Sequence, residues 1–483
     1  MKKVRPIIAF RADGSATMGL GHVYRSAALA RMLAPVADCV FFSRAIPTGL
    51  TEMLSSSYEA SYELAVPAAD EVNTMVEQLR KHYPDRPYTF VLDGYHFKTA
   101  YQRSIKALKC LLVCIDDIHA CDYVADLVIN HSPAANLTDY VGETYTKYAL
   151  GPRFALLRNP FLVAAQSAEN NLSAKRDRIF ICLGGADPKN DTLTILRKLA
   201  DYERVPAVDV VLGPAYAHQK ELQSFLTDTT LKIELHRSLT AEQLVDLMQS
   251  SVVGITSPST VSLEYLSAGG KLFLHQTADN QAGIYAGLIE KGLALDVATM
   301  DAEAFVSTSE KTPSPMDGRQ AERLRKLFAA LDLTWRLATA DDSDLYLAWA
   351  NDPDVRAQSF DSSLISPSEH AAWFRRRLVD EQSCLLIFER SRKPVGRVRF
   401  AVVGNEATIG YSVAKESRGH GLGVPMLHFA VDALRRERPK IERFIGYVKE
   451  GNIASVTTFR RLGYREEPTN DYPDALKFVL YDL

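Results

Sequence analysis

The 483-residue sequence is 47% hydrophobic and 24% charged, which excludes a mainly disordered chain. At roughly 100–200 residues per domain this length predicts about three compact units. With 56 Lys+Arg against 59 Asp+Glu, the formal net charge of −3 supplies no global field for nucleic acid or an anionic membrane, so an anionic ligand needs a local site. No stretch approaches the roughly 20 uncharged apolar residues of a membrane span. Arg11 and Asp13 interrupt the first apolar segment too early for a secretory signal. The expectation is a cytoplasmic protein with reduced thiols. Its six cysteines, at positions 39, 110, 114, 121, 182 and 384, are too few and too irregular for a disulfide framework. Cys114, His119 and Cys121 lie close in sequence but lack paired CxxC spacing, and no metal is expected.

In chain order, Pro6–Phe10, Tyr88–Leu92, Leu111–Ile115, Leu127–Ile129, Arg178–Leu183, Val208–Leu212 and Ser251–Ile255 read as strands alternating with helices. Several are apolar on both faces, the pattern of parallel sheets covered by helices, and two sheets fit better than one. Pro152 and Pro160 break the alternation near Gly151–Ala165. An amphipathic helix over 318–331 follows a polar segment with Pro313 and Pro315. From Leu333 the rhythm changes: a strand over Leu333–Leu337, helices near Asp342–Ala350 and Ser368–Val379, then consecutive strands at Cys384–Glu389, Gly396–Val403 and Ala407–Val413. That order predicts an α+β domain with an antiparallel sheet. The expected boundaries are 1–158, 159–331 and 332–483.

The string Arg11-Ala-Asp-Gly-Ser-Ala-Thr-Met-Gly-Leu-Gly-His22-Val-Tyr-Arg25 follows the first strand and runs into a helix. Gly14, Gly19 and Gly21 allow close backbone approach, and the helix N-terminus offers free N–H groups to an anion. The helix dipole disfavours an imidazolium at His22, leaving a ring able to accept a proton. A plain glycine turn with a histidine-capped helix is the alternative. Leu92-Asp-Gly-Tyr95, Ile115-Asp-Asp117, Asp126-Leu-Val-Ile-Asn130 and Gly151-Pro-Arg-Phe-Ala-Leu-Leu-Arg158 follow. With these motifs, residues 4–330 resemble the UDP-sugar hydrolases of pseudaminic acid biosynthesis, which cleave UDP-2,4-diacetamido-2,4,6-trideoxy-β-L-altropyranose to UDP and free sugar. The resemblance implies a two-lobed α/β fold of the GT-B type. It implies His22 as the base that activates water, with Asp13, Asp93 and Tyr95 lining the same cleft and Gly19, Gly21 and Arg25 beside the UDP-sugar.

Further along, Gly184 and Gly185 join a buried strand to a helix near Asp191, and Ser257-Pro-Ser-Thr260 precedes a helix carrying Glu264. The first of these loops places backbone donors where phosphates could bind. By resemblance Ser257 and Ser259 contact the phosphates and Glu264 accepts from ribose hydroxyls; an ordinary helix charge is the alternative for Glu264. Pro258 stands where the family more often has glycine. Asn280 and Gln281, in Asp279-Asn-Gln281, are candidates for sugar contacts or for helix caps.

Arg418-Gly-His-Gly-Leu-Gly423 opens a helix with Pro425 near its first turn, and Asn452-Ile-Ala-Ser begins a later one. The order of strands, glycine loop and helix resembles the GNAT acetyltransferase superfamily over residues 333–470. This implies acetyl-CoA on Val413, Arg418, Gly419, Gly421, Gly423 and Asn452. Trp349-Ala-Asn-Asp352, Val355-Arg356 and Glu369-His-Ala-Ala-Trp373 are more particularly similar to the acetyltransferase of the 4-amino group in the same pathway. Phe459 stands where many members have a tyrosine acid. Glu406 is a candidate base acting through water, or an exposed turn carboxylate. The expected whole is a two-lobed GT-B-like hydrolase with a C-terminal GNAT domain, using UDP-sugar and acetyl-CoA as small-molecule partners. A glycosyltransferase, a nucleotide-sugar binding scaffold and a protein N-acetyltransferase remain alternatives.

Overall fold

The computed structural model describes residues 5–14, 20–46, 49–119, 121–167, 176–305, 315–390, 392–472 and 474–481. The chain divides into two compact units, Met1–Glu322 and Arg323–Leu483. The division falls inside the helix Gln320–Phe328, upstream of the 331/332 boundary that the sequence predicts. An amphipathic pattern shows that a helix has a face to cover, but not which core covers it. Here Arg323 donates its Nε to the Arg461 carbonyl at 2.7 Å, within the C-terminal unit.

The N-terminal unit holds two parallel sheets. The first contains β1 (Ile7–Ala12), β2 (Asp38–Ser43), β3 (Ala60–Glu63), β4 (Tyr88–Asp93), β5 (Leu111–Ile115), β6 (Leu127–Asn130) and β7 (Lys147–Leu150), in the order β3-β2-β1-β4-β5-β6-β7. All six residues of β1 are buried, as a central strand covered on both faces requires. The second contains β8 (Arg178–Cys182), β9 (Ala207–Val211), β10 (Ile233–His236), β11 (Ser251–Thr256), β12 (Lys271–Leu274) and β13 (Leu295–Asp296), in the order β10-β9-β8-β11-β12-β13. In each sheet the strand order reverses once, between β1 and β4 and between β8 and β11. Neighbouring connections diverge to opposite sides there, opening a crevice at the carboxyl ends of the strands where open α/β sheets bind ligands. The glycine string after β1, residues 92–95 at β4, Gly184 and Gly185 after β8 and residues 257–260 after β11 lie at these two reversals. Phe10, Phe42 and Phe90 anchor the first core, and Phe180 and Phe273 the second. Burying each such side chain is worth roughly 1.5–3 kcal/mol.

The C-terminal unit carries β14 (Leu333–Leu337), β15 (Ser383–Arg390), β16 (Lys393–Val403), β17 (Glu406–Val413), β18 (Arg443–Lys449), β19 (Arg465–Glu467) and β20 (Ala475–Tyr481), in the order β14-β15-β16-β17-β18-β20-β19. Neighbours are antiparallel except β17 and β18, which run parallel and pair only from Glu406↔Arg443 to Ile409↔Gly446. Beyond Ile409 the two strands separate, leaving a crevice in the sheet beside the loop that leads into the helix Gly423–Glu437. No helix among the described residues is long and apolar enough to cross a membrane.

Candidate active sites

The helix Gly21–Leu33 starts at the carboxyl end of β1 and presents His22 toward β4, whose last residue is Asp93. His22 Nδ1 lies 2.7 Å from Asp93 Oδ1, and the ring is only 6% exposed. A carboxylate only accepts, so Nδ1 carries the hydrogen and Nε2 keeps the lone pair. Arg25, one turn along the helix, donates Nη2 to the same Oδ1 at 2.5 Å and Nε to Oδ2 at 2.7 Å. The 3.0 Å approach of Arg25 Nη2 to His22 Nδ1 is therefore two donors sharing one acceptor. Ser26 adds a hydroxyl at 3.2 Å. Burial pushes the Asp93 carboxyl up, but the charge and hydrogen bonds of Arg25, with the bond from His22, outweigh it and hold the group ionised below its usual range.

Arg25 also binds Asp117, at the end of β5, at 2.8 Å, and the Tyr95 hydroxyl donates to that carboxylate at 3.3 Å. The Tyr95 ring meets His22 edge to face, with centroids 4.8 Å apart. Burial, then the Asp117 charge, raises the Tyr95 pKa, while hydrogen bonding with Asn280 opposes the shift. His22, Arg25, Asp93, Tyr95 and Asn280 therefore form one constellation. Asp117 belongs to it as well: the motif Ile115-Asp-Asp117 marks it in the sequence without giving it a role, and a strand-end acid beside a reversal point is the signal for one. Asp13 sits in a separate ionic knot: Arg11 at 2.6 Å, Ser43 Oγ at 3.0 Å and the Arg44 amide at 2.8 Å bind Oδ1, and His96 lies 3.4 Å from Oδ2. Burial raises its pKa, but His96 and Arg11 more than offset this and the carboxyl stays well below its usual range. Gly21 is exposed beside His22; the Gly19 expectation lies outside the described residues.

At the second reversal, Gly184 has φ +92°, and a Cβ on it would lie 3.5 Å from Ser257 Oγ. The loops after β8 and β11 therefore meet. Gly213, after β9, closes in behind them: a Cβ there would be about 2.3 Å from the carbonyl oxygens of Gly184 and Gly185. Ser257 Oγ and Ser259 Oγ are 3.2 Å apart at the start of the helix Thr260–Ala268. Glu264 on that helix takes a two-pronged contact from Arg158, Nε to Oε1 at 2.9 Å and Nη2 to Oε2 at 3.0 Å. Arg158 ends the motif over residues 151–158, but the sequence gives it no partner or role, because Glu264 is 106 residues away. Gln281 turns inward, accepting from the Thr277 amide at 2.9 Å and donating to Thr277 Oγ1 at 3.1 Å, so it closes its own turn. Elsewhere Asp209, Glu234 and His236 cluster with metal-ligand spacing, but the Arg178 guanidinium fills that position, with bonds to Asp209 and, at 2.8 Å, to Glu234. His119 packs edge-on against Tyr140, and Cys121 Sγ accepts from Gln102 at 3.3 Å.

In the C-terminal unit, Gly419 and Gly421 have φ of +76° and +73°, with open space where a Cβ would project. Their amides can meet a ligand directly. Arg418 is tied back, Nε to the Val413 carbonyl at 3.1 Å and the guanidinium to Asp352 and Asp354 at 2.7 Å each. It positions the loop rather than offering a free charge. Gly423 packs against Thr458, and Asn452 Oδ1 accepts from the Ser455 amide at 3.1 Å, capping the helix Ile453–Arg461. Phe459 on that helix is core, stacked on Phe478 with centroids 5.3 Å apart. In the stretch of β17 that no longer pairs with β18, the Tyr411 hydroxyl lies 3.0 Å from Ser455 Oγ. Glu406 stands at the opposite end of β17, in an ion pair with Arg443. Four residues of strand, about 13 Å, separate it from the first unpaired residue, Gly410. The structure thus does not bring Glu406 to the crevice.

Residues 332–465 match the acetyltransferase (GNAT) domain family. Over 95% of its length the chain is 23% identical to an uncharacterized protein of Methanocaldococcus jannaschii, 96% of which is covered. Over 60% of its length it is 24% identical to the UDP-2,4-diacetamido-2,4,6-trideoxy-beta-L-altropyranose hydrolase of Campylobacter jejuni, 98% of which is covered. Among solved structures, a spermidine N-acetyltransferase from Vibrio cholerae is 17% identical, covering 31% of this chain and 95% of its own at a TM-score of 0.29. An aminoglycoside acetyltransferase is 17% identical, covering 31% and 94% at 0.28. The chain is an enzyme that joins a two-lobed part similar to this sugar-nucleotide hydrolase to a C-terminal GNAT acetyltransferase domain.

Proposed function

We propose that the protein carries out two consecutive steps of pseudaminic acid biosynthesis: N-acetylation of the 4-amino group of a UDP-4-amino-4,6-dideoxy-N-acetyl-altrosamine, then hydrolysis of the resulting UDP-2,4-diacetamido-2,4,6-trideoxy-β-L-altropyranose. The observation that carries the hydrolase reading is the 2.7 Å bond between His22 and Asp93 at the reversal between β1 and β4. Asp93 fixes the tautomer that leaves Nε2 able to take a proton from water. The water oxygen bonds to the anomeric carbon, the bond from that carbon to the UDP oxygen breaks, and UDP leaves with the electron pair. Backbone amides at Gly184–Gly185 and at the start of the helix Thr260–Ala268 receive the departing diphosphate. Glu264, held by Arg158, and Asn280 orient the nucleotide and the sugar.

Acetyl-CoA binds at the loop from Arg418 to Gly423, with its pantetheine amides against the unpaired backbone of β17. The 4-amine nitrogen bonds to the thioester carbonyl carbon and the carbon–sulfur bond breaks. Tyr411 gives its hydroxyl proton to the thiolate and is reprotonated through Ser455 by the proton that the nitrogen of the neutral amine loses as the amide forms, so that the products are amide and CoA thiol. His22→Ala should lower UDP release by a factor on the order of 10²–10⁴ and leave acetylation intact. Near-normal UDP release from that variant defeats the assignment. Sugar release that requires an added acceptor identifies a glycosyltransferase instead.

A further inference from the structure

On the face of the C-terminal sheet opposite the helix Gly423–Glu437, β16 and β17 floor a trough bordered by Tyr346 of the helix Ser343–Ala350 and Trp373 of the helix Pro367–Leu378. Arg397, half-buried, and Arg399, exposed at the trough's edge, lie on this face while Val398 and Phe400 turn to the opposite one, and the two arginines stand in register beside Ser412 and Gly410. Arg397 lies over the Tyr346 ring at 4.8 Å and donates Nε to Ser412 Oγ at 3.1 Å. Arg399 lies over Trp373 at 5.6 Å and packs against Gly410 while still reaching solvent. Among the described residues no carboxylate forms an ion pair with either guanidinium. Of the acids around the trough, Asp342 and Glu389 hold Arg336, Asp380 holds Arg377 and Glu406 holds Arg443, while at the rim Asp361 accepts from the Ser363 amide and Asp471 from the Tyr447 hydroxyl.

Two cations on one face without counter-charges is costly. Enclosure by the surrounding protein, with Arg399 and Arg356 nearby, pulls the Arg397 pKa down to about 10 although Tyr346 opposes the shift. Enclosure lowers the Arg399 value as well, with Arg377 and Arg356 adding to it. At the rim of the trough Phe360 and Tyr472 stack with centroids 4.1 Å apart and are about 40% exposed, and Tyr447 meets Tyr472 edge-on. Exposed aromatic faces of this kind accept a flat heterocycle.

We propose that this trough is the acceptor site of the acetyltransferase domain, and that Arg397 and Arg399 select a nucleoside-diphosphate-linked amine by binding its diphosphate while repelling free polycationic amines. Guanidinium forks match phosphate oxygens two at a time. Gly410 and Ser412, beside the arginines, belong to the part of β17 that no longer pairs with β18, so an acceptor anchored here lies next to the crevice. The proposal rests on the acetyltransferase reading, whose acceptor is already a UDP-linked amine, and adds the two residues that hold its diphosphate.

The test uses the full chain with saturating CoA, so that the glycine loop is filled. Calorimetric titration with UDP should show one site fewer in Arg397→Gln/Arg399→Gln than in the unsubstituted protein, whatever number the latter shows. The KM for a UDP-linked amino sugar should rise on the order of 10–100-fold, with kcat little changed. The KM for the same amino sugar without nucleotide should not move. If the double variant does not fold, Arg399→Gln alone, at a solvent-reaching position, should weaken UDP binding at one site. Equal UDP stoichiometry and affinity, or a preference of the unsubstituted protein for spermidine over the UDP-linked amine, overturns the proposal. Failure of the unsubstituted protein to bind CoA sinks the acetyltransferase reading itself.

Discussion

His22 shows how much of a residue's chemistry belongs to its neighbours. An isolated imidazole offers either nitrogen; the Asp93 carboxylate selects the tautomer, and Arg25 keeps that carboxylate ionised. Asp13 supports a prediction about pH. Its folded pKa is depressed below the ordinary 3.8, so as pH falls below that value the unfolded chain takes up a proton before the native one does. Stability from this group is complete above the unfolded value and is lost as pH falls toward the folded value. Asp13→Asn should cost about 1–3 kcal/mol at neutral pH and flatten the fall of Tm with acid. Parallel Tm curves for variant and parent would count against it. In the acetyltransferase domain, Tyr411→Phe should leave CoA affinity unchanged but raise the pKa of the bound CoA thiol, read from thiolate absorbance against pH. An unmoved thiol titration shows that the Tyr411 hydroxyl does not face the sulfur.

Elements act through the loops they bring together. The loop at Gly184–Gly185, proposed to receive the diphosphate, is shaped as much by β9 as by β8, because Gly213 sits with no room for a side chain against its carbonyls. Gly213→Ala should push that loop outward and weaken UDP binding, with no residue of the cleft changed. Undiminished affinity in a folded variant means the loop does not contact phosphate. The glycine loop before Gly423–Glu437 poses the opposite case. Space at Gly421 is open, so Gly421→Asp adds left-handed backbone strain of about 1–2 kcal/mol and a carboxylate facing the expected pyrophosphate. CoA binding should collapse; retained binding makes the loop structural only.

For the whole molecule, the two activities set an order. Given the UDP-4-amino sugar alone, the enzyme should release little free sugar until acetyl-CoA is added. An N-acetyl group offers a methyl and a carbonyl, whereas an ammonium in the hydrolase cleft is a charge left without a partner. A penalty of about 3 kcal/mol is roughly a hundredfold in rate. An NMR time course follows both products. Rapid release of unacetylated sugar before acetyl-CoA is supplied would show that the cleft does not read the group.

The sequence by itself determined the strands whose pattern is local. Leu111–Ile115 is found at the bounds expected, and β1, β4, β8 and β11 within two residues of theirs, because a strand buried on both faces is apolar throughout. Glycine strings after β1, β8 and β17 were legible for the same reason: a turn that needs positive φ or close approach records it in the residue type. Edge and lesser strands such as β3, β10 and β13 were not, since their short, partly polar runs form only against neighbours already in place. Tertiary structure alone decided which polar residues meet. Arg158 and Glu264, Arg25 and Asp117, Tyr411 and Ser455 are far apart in sequence, and no periodicity links them. It also set Glu406 apart from the crevice, left Arg397 and Arg399 without an acid, and assigned part of the helix Gln320–Phe328 to the C-terminal unit. Charges and hydrogen bonds reach across whatever the fold brings within a few ångströms, while a sequence pattern reports only burial along one element.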